Sequence, residues 1–220
     1  MIEAVVFDLY GTLIRLERDT RPYYRLARLI RPDAPGEAVR RSLLIPSLGI
    51  GDFATRLGGD PPSETADLEE DLRQDLLSAR VFDDVFETLS SLREQGCKLG
   101  LSSNLAGPYK EPYRRCGLAP FFDAALFSCD VGRRKPESSV FKEMAEALGC
   151  DPARVVMIGD SRRSDYDGAR AAGMAALHLC RGCGELGAGQ LGSLRDLPQR
   201  LELGEREKDF PDPDRAIKAG

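Results

Sequence analysis

The chain reads as a three-layer α/β fold: a parallel sheet with helices on both faces, interrupted after its first strand by an inserted α-helical segment. Three observations predict it. From about residue 81 onward, short apolar runs alternate with helical periodicities, the pattern of a parallel sheet wrapped by helices. One further apolar strand stands at the N-terminus and stops at Asp8. Between the two, residues 14–80 show helical spacing and no clear strand run.

Taken in order, residues 2–8 are β-branched and aromatic and end at Asp8 and the Gly11 turn. A helix is expected to start at Asp19 or Thr20, with Pro22 in its first turn, because Tyr23, Leu26, Ala27 and Ile30 form an apolar stripe. Pro32 stops it. Further helices are predicted over 36–48 and 64–79, separated by the Gly58-Gly59-Asp60-Pro61-Pro62 loop, so that the insert is all-helical. Strands then follow over 98–102, 124–128, 155–158 and 175–179. Helices lie between and around them over 84–95, 108–116, 137–148 and 166–172, each closed by a glycine: Gly96, Gly117, Gly149 and Gly173. Residues 182–192 read as a loop and 194–203 as a last helix. The charged, Pro-containing stretch 204–220 reads as a loose tail.

Composition narrows the function. The 220 residues suit one core domain with a small insert. A net charge of -5 provides no general electrostatic footprint for nucleic acid. There is no run of about 18 apolar residues, so no membrane span is expected. No signal-peptide pattern opens the chain, and the expected location is the cytoplasm. In that compartment the six cysteines are expected as free thiols. Cys180-Arg-Gly-Cys183 stands alone, short of the four ligands of a zinc site. His178 is the only histidine, which argues against Ser-His or Cys-His hydrolysis.

In an open parallel sheet, chemistry gathers beyond the carboxyl ends of the strands. Those ends carry Asp8, then Ser102-Ser103-Asn104, then Arg133-Arg134-Lys135-Pro136, then Gly159-Asp160-Ser161 with Asp165 and Asp167 downstream. Each part has a physical job there. Asp8 can be a covalent nucleophile. Lys135 is a compact cation that offsets the charge of an anionic substrate. Ser103 and the amides after it can bind anionic oxygens at a helix start. Asp8, Asp160 and Asp165 offer hard oxygen ligands of the kind Mg²⁺ takes. Asp167 reads as a helix cap.

The stretches Asp8-Leu-Tyr-Gly-Thr12, Leu101-Ser-Ser103-Asn104, Lys135-Pro136 and Gly159-Asp160-x-x-x-x-Asp165 together resemble the four motifs of the haloacid dehalogenase-like (HAD) superfamily of hydrolases. They come in the family's order and cover about residues 2–180. The resemblance implies a Rossmannoid core from residues 1–13 and 81–203, and a helical cap from residues 14–80. It assigns catalysis to Asp8, Ser103 and Lys135, and anion binding to Thr12, Ser103, Asn104 and Lys135. It assigns Mg²⁺ to Asp8, the backbone carbonyl of Tyr10, Asp160 and Asp165. It also implies a small anionic substrate, phosphorylated in the phosphatase branch, and a monomer or homodimer.

Tyr10 departs from the phosphatase pattern, in which a second aspartate serves as acid and base. A phenol with a pKa near 10 replaces it poorly at neutral pH. The sequence Asp-x-Tyr-Gly-Thr matches the L-2-haloacid dehalogenase branch instead, whose halide leaving group needs no proton. Asp160 and Asp165 match the metal-dependent phosphatases. The expectation is therefore a Mg²⁺-dependent phosphatase that acts through an aspartyl-phosphate. A dehalogenase-like hydrolase and a catalytically weak or inactive binding protein stand as alternatives. In the cap, Arg15, Arg18, Arg21, Arg25, Arg28, Arg31, Arg40 and Arg41 could line a pocket for a second anionic group or form a solvated face.

Overall fold

The computed structural model describes residues 2–45 and 48–203. The expected tail, and residues 46–47 of the second expected cap helix, lie outside them.

Six parallel strands form the main sheet, in the order β5-β4-β1-β6-β7-β8. They are β1 (Ala4–Phe7), β4 (Lys98–Ser103), β5 (Ala124–Phe127), β6 (Val155–Gly159), β7 (Ala175–Leu179) and β8 (Gln190–Leu191). β1 is central: Phe7 pairs with Leu101 of β4 on one side and Ile158 of β6 on the other. Its side chains alternate between faces, and both faces are buried, which is why it reads as an unbroken apolar run. Val5 and Phe7 pack with Val85, Leu89 and Leu92 of α5 (Val85–Glu94). Ala4 and Val6 pack with Phe141, Met144 and Leu148 of α8 (Ser138–Leu148) and Ala169 of α9 (Gly168–Ala171). β8 is an addition, since residues 182–192 were expected to be loop throughout.

The insert carries its own core. In it α1 (Pro22–Ile30), α2 (Gly36–Ser42), α3 (Ile50–Arg56) and α4 (Thr65–Leu77) bury Tyr23, Leu26, Val39, Ile50, Phe53 and Leu68 together. The expected 36–48 helix ends early, at Ser42, and α3 is a helix the sequence pattern missed. Thr20 does not cap α1; its N–H and hydroxyl both donate to the buried Asp75, each at 2.8 Å. The insert is also not all-helical. β2 (Ile14–Leu16) and β3 (Ala79–Val81) pair antiparallel, Ile14 opposite Val81 and Leu16 opposite Ala79. Three-residue strands are too short to show a period. They form because both ends of an insert must leave and re-enter the sheet side by side.

The other helices are α6 (Glu111–Arg115), the single turn α7 (Ser128–Val131) and α10 (Leu197–Leu203). α7 was not expected, and the expected 108–116 helix begins as a 3-10 turn.

Candidate active site

Asp8 is the first residue past β1, and its N–H still donates to the Ile158 carbonyl at 2.9 Å. The sheet therefore fixes its backbone. Gly11 turns the following loop at φ 80° and is bonded back to Ile14 at 2.8 Å. That left-handed conformation favours glycine.

Lys135 enters from the segment between α7 and α8. Its N–H donates to Asn104 Oδ1 at 2.9 Å, and Asn104 Nδ2 donates back to the Lys135 carbonyl at 2.8 Å. This two-way clamp ties the end of β4 to the lysine. The ammonium has three hydrogens. They face Asp8 Oδ1 at 2.9 Å, Asp165 Oδ1 at 2.6 Å and the Ser102 carbonyl. Lys135 is only 1% exposed.

Such a buried cation persists only because its partners are charged and close. Burial works against its charge, but Asp165 and Asp8 raise its pKa above the ordinary lysine value. Asp8 moves up to about 7, from an ordinary 3.8. Burial is the main cause and the charges of Asp165 and Asp160 add to it, while Lys135 pulls the other way. Asp160 is raised too, by partial burial and by Asp165.

Asp160 follows β6 and is exposed. Its carbonyl accepts from His178 Nε2 at 2.9 Å, which gives the lone histidine a structural place. Asp165 sits in a π-helical turn, Arg162–Asp167, and accepts from the Ser161 N–H at 3.0 Å. Two glycines make room for these carboxylates. A Cβ on Gly11 would collide with the Asp160 carboxylate, and one on Gly159 with Asp165. Carboxylate oxygens of Asp8, Asp160 and Asp165 lie within 4.8 Å of one another. This is an acidic cluster of hard oxygen donors able to hold a divalent metal ion.

A cavity of about 780 Å³ opens over the cluster. Tyr10, Gly11, Asn104, Tyr109, Arg134 and Asp160 are among its walls. Asp8 lies behind Asp160 rather than on the wall. Ser103 is buried at the end of β4, and Thr12 is fully enclosed, its hydroxyl without a protein partner. Neither lines the cavity, whereas Asn104 does. The Asn104 amide is nevertheless engaged by the Lys135 backbone, so its evident work is to position the lysine. The Tyr10 phenol donates to the Tyr109 carbonyl at 2.8 Å. Burial raises its pKa well above the ordinary phenol value, the charge of Tyr109 adding to this.

Other candidates sort cleanly. Arg133 pairs with Glu143 and Arg162 with Asp167. Asp167 forms no side-chain cap bond; Ser161 does, accepting from the Ser164 N–H at 3.1 Å. Tyr23 packs in the cap core, while Tyr24 is exposed and lines the cavity. Cys180 and Cys183 are joined in a disulfide, contrary to the free thiols expected; the tight turn brings their Cα atoms to 5.6 Å. Cys97, Cys116, Cys129 and Cys150 are free.

Sequence reasoning missed Tyr109 and Glu37, whose partners lie 99 and 97 residues away. Gly159 could have been noticed, as a glycine beside the carboxylate at a strand end.

A buried carboxylate at the end of the central strand, bridged by a lysine to a second acidic group, defines a hydrolase built for covalent carboxylate chemistry. The chain belongs to the haloacid dehalogenase-like hydrolases: the family's profile matches residues 2–173. It is similar to glyceraldehyde 3-phosphate phosphatase of Methanopyrus kandleri, 31% identical over 83% of this chain and 85% of that protein. Its fold is similar to a HAD phosphatase from Thermococcus onnurineus (TM-score 0.63, 28% identity, 92% of this chain and 98% of that one). It is similar also to a 2-haloacid dehalogenase from Pseudomonas syringae (TM-score 0.62, 26% identity, 93% and 100%). Among the described residues no helix is long and apolar enough to cross a membrane.

Proposed function

We propose that this hydrolase is a phosphatase of small phosphorylated metabolites and that Asp8 is its nucleophile. The observation that carries the reading is Lys135, buried between Asp8 and Asp165 with every ammonium hydrogen facing an oxygen. That contact orients the Asp8 carboxylate and offsets its charge as it meets an anion. The phosphatase relatives support the substrate class.

An Asp8 oxygen attacks phosphorus and the bond to the leaving oxygen breaks, giving an aspartyl-phosphate. Water then attacks that phosphorus, the acyl-phosphate bond breaks, and inorganic phosphate leaves with Asp8 restored. Lys135 keeps the Asp8 carboxylate aimed through both steps, and Asn104 keeps Lys135 in place. Ser103 and the backbone after it, with Thr12, border the anion site. Asp8, Asp160, Asp165 and the Tyr10 carbonyl would hold Mg²⁺, which when bound supplies positive charge against the phosphoryl oxygens. The donor set fits that ion, because all its ligands are oxygens.

A second acidic charge at Asp160 and Asp165 opposes a haloacid carboxylate, which disfavours dehalogenation. The test is phosphate release from a panel of phosphate esters, with and without Mg²⁺, beside chloride release from 2-chloropropionate in EDTA. Mg²⁺-dependent phosphate release is expected. Chloride release without phosphate release would overturn the reading.

A further inference from the structure

We propose that Arg40 of the cap and Arg134 of the core form a second anion seat, which makes the preferred substrate a phosphate ester that also carries a carboxylate. This deepens the phosphatase reading and rests on it.

Both arginines line the same cavity as Asp160 and Asn104. Arg134 directly precedes Lys135, whose backbone is clamped to Asn104, so its base is as fixed as the catalytic lysine. Its side chain is 14% exposed. Arg40 stands on α2, on the opposite side of the cap–core boundary. The two converge on one group, the Glu37 carboxylate. Arg134 Nη1 donates to Glu37 Oε2 at 3.1 Å and Arg40 Nε donates to the same oxygen at 3.2 Å. The protein's own carboxylate thus shows which anion the pair accepts.

Glu37 does not exhaust them. Among the described residues, every hydrogen bond of Arg134 leaves through Nη1, and that of Arg40 through Nε. Arg134 Nε and Nη2 and both terminal nitrogens of Arg40 remain without protein acceptors. A planar guanidinium with a free edge is suited to bidentate carboxylate recognition. Charge points the same way: Glu37 also takes Arg41, so one carboxylate serves three arginines. Gly36 keeps the space open, since a Cβ there would lie 3.3 Å from Arg40 Nη1. A metabolite whose phosphoryl group reaches Asp8 could therefore place its carboxylate against the free edges, and would bridge cap and core.

The test is calorimetric binding of non-hydrolysable probes with Mg²⁺ present. These are 3-phosphonopropionate, 4-phosphonobutyrate and 5-phosphonopentanoate, each against the alkylphosphonate of equal length. At one length or more, the carboxylated probe is expected to bind roughly tenfold tighter, about the worth of one hydrogen bond to a charged group. Arg134→Gln and Arg40→Gln should each reduce that ratio to below about threefold. Arg28→Gln, on the exposed side of α1, should leave it unchanged. Thermal melts confirm that each variant is folded, and Arg134→Lys serves if Arg134→Gln is not. Equal affinity within every pair, or a ratio untouched in the arginine variants, overturns the proposal. If the pairs bind with the expected ratio while no ester releases phosphate, hydrolysis is what has failed. Phosphate release with equal affinities means the carboxylate seat has failed.

Discussion

The hydroxyl of Tyr10 donates to the backbone carbonyl of Tyr109, 2.8 Å away and 99 residues along the chain. The two rings meet edge to face at 5.8 Å. Tyr109 then contacts Tyr23 of α1 at 6.3 Å, and Tyr23 meets Phe53 of α3 at 5.3 Å. A row of aromatics thus runs from the residue two places past the nucleophile into the centre of the cap. Tyr10 is a docking residue, and its proton is committed to a carbonyl.

Tyr10→Phe is accordingly expected to keep kcat within about threefold while losing about 1 kcal/mol of stability, the net worth of one hydrogen bond. Steady-state kinetics and thermal unfolding of one preparation check both. A hundredfold fall in kcat would mean that the phenol transfers a proton after all.

Without an acid beside the leaving oxygen, departure must rest on the leaving group's own stability. Turnover of p-nitrophenyl phosphate or an acyl phosphate should exceed that of a simple alkyl phosphate by at least about a hundredfold, the lower end of what acid catalysis supplies. Equal rates across that series would contradict this.

Asp8→Asn should lower phosphate release by at least about a thousandfold, as expected for the loss of a covalent nucleophile. The same variant probes electrostatics. A carboxyl raised to about 7 when folded favours its protonated form there. Its stabilisation is complete below the unfolded value near 3.8 and is lost as pH rises through 7. In EDTA, the melting temperature of Asp8→Asn should therefore gain on the native protein between pH 5 and pH 8, by an amount on the order of a few kcal/mol. A constant gap over that range would show that Asp8 is already ionised at pH 5. Added Mg²⁺ should stabilise the native protein more at pH 8 than at pH 5, because only the ionised carboxylates bind it.

Gly159→Ala should be severe, because the new Cβ falls on the Asp165 carboxylate. Loss of Mg²⁺-induced stabilisation and of activity, about tenfold or more, is expected even where the fold survives. Alanine at Gly96, whose added Cβ meets no atom within 4 Å, controls for glycine loss at another turn.

Asn104→Ala removes both halves of the clamp on Lys135. A fall in kcat of roughly 10- to 100-fold with little change in KM would mark a residue that positions rather than binds. A rise in KM alone would assign Asn104 to the substrate.

The sequence by itself determined the parallel sheet, the helical nature of most of the insert and the rim where the chemistry gathers. This was legible because strand ends in a parallel sheet share one edge, so Asp8, Ser103, Lys135 and Asp160 could be grouped from strand order alone. Only the tertiary structure decided what these groups do to one another. It turned Asn104 toward the Lys135 backbone, enclosed Thr12, set Asp165 against the lysine and joined Cys180 to Cys183. It also paired Ile14–Leu16 with Ala79–Val81 at the root of the cap, and brought Tyr10 to Tyr109 and Arg134 to Glu37. The reason is physical: periodicity reports which face of an element is buried. Contacts between residues about a hundred positions apart depend on how whole elements pack, and no local pattern encodes them.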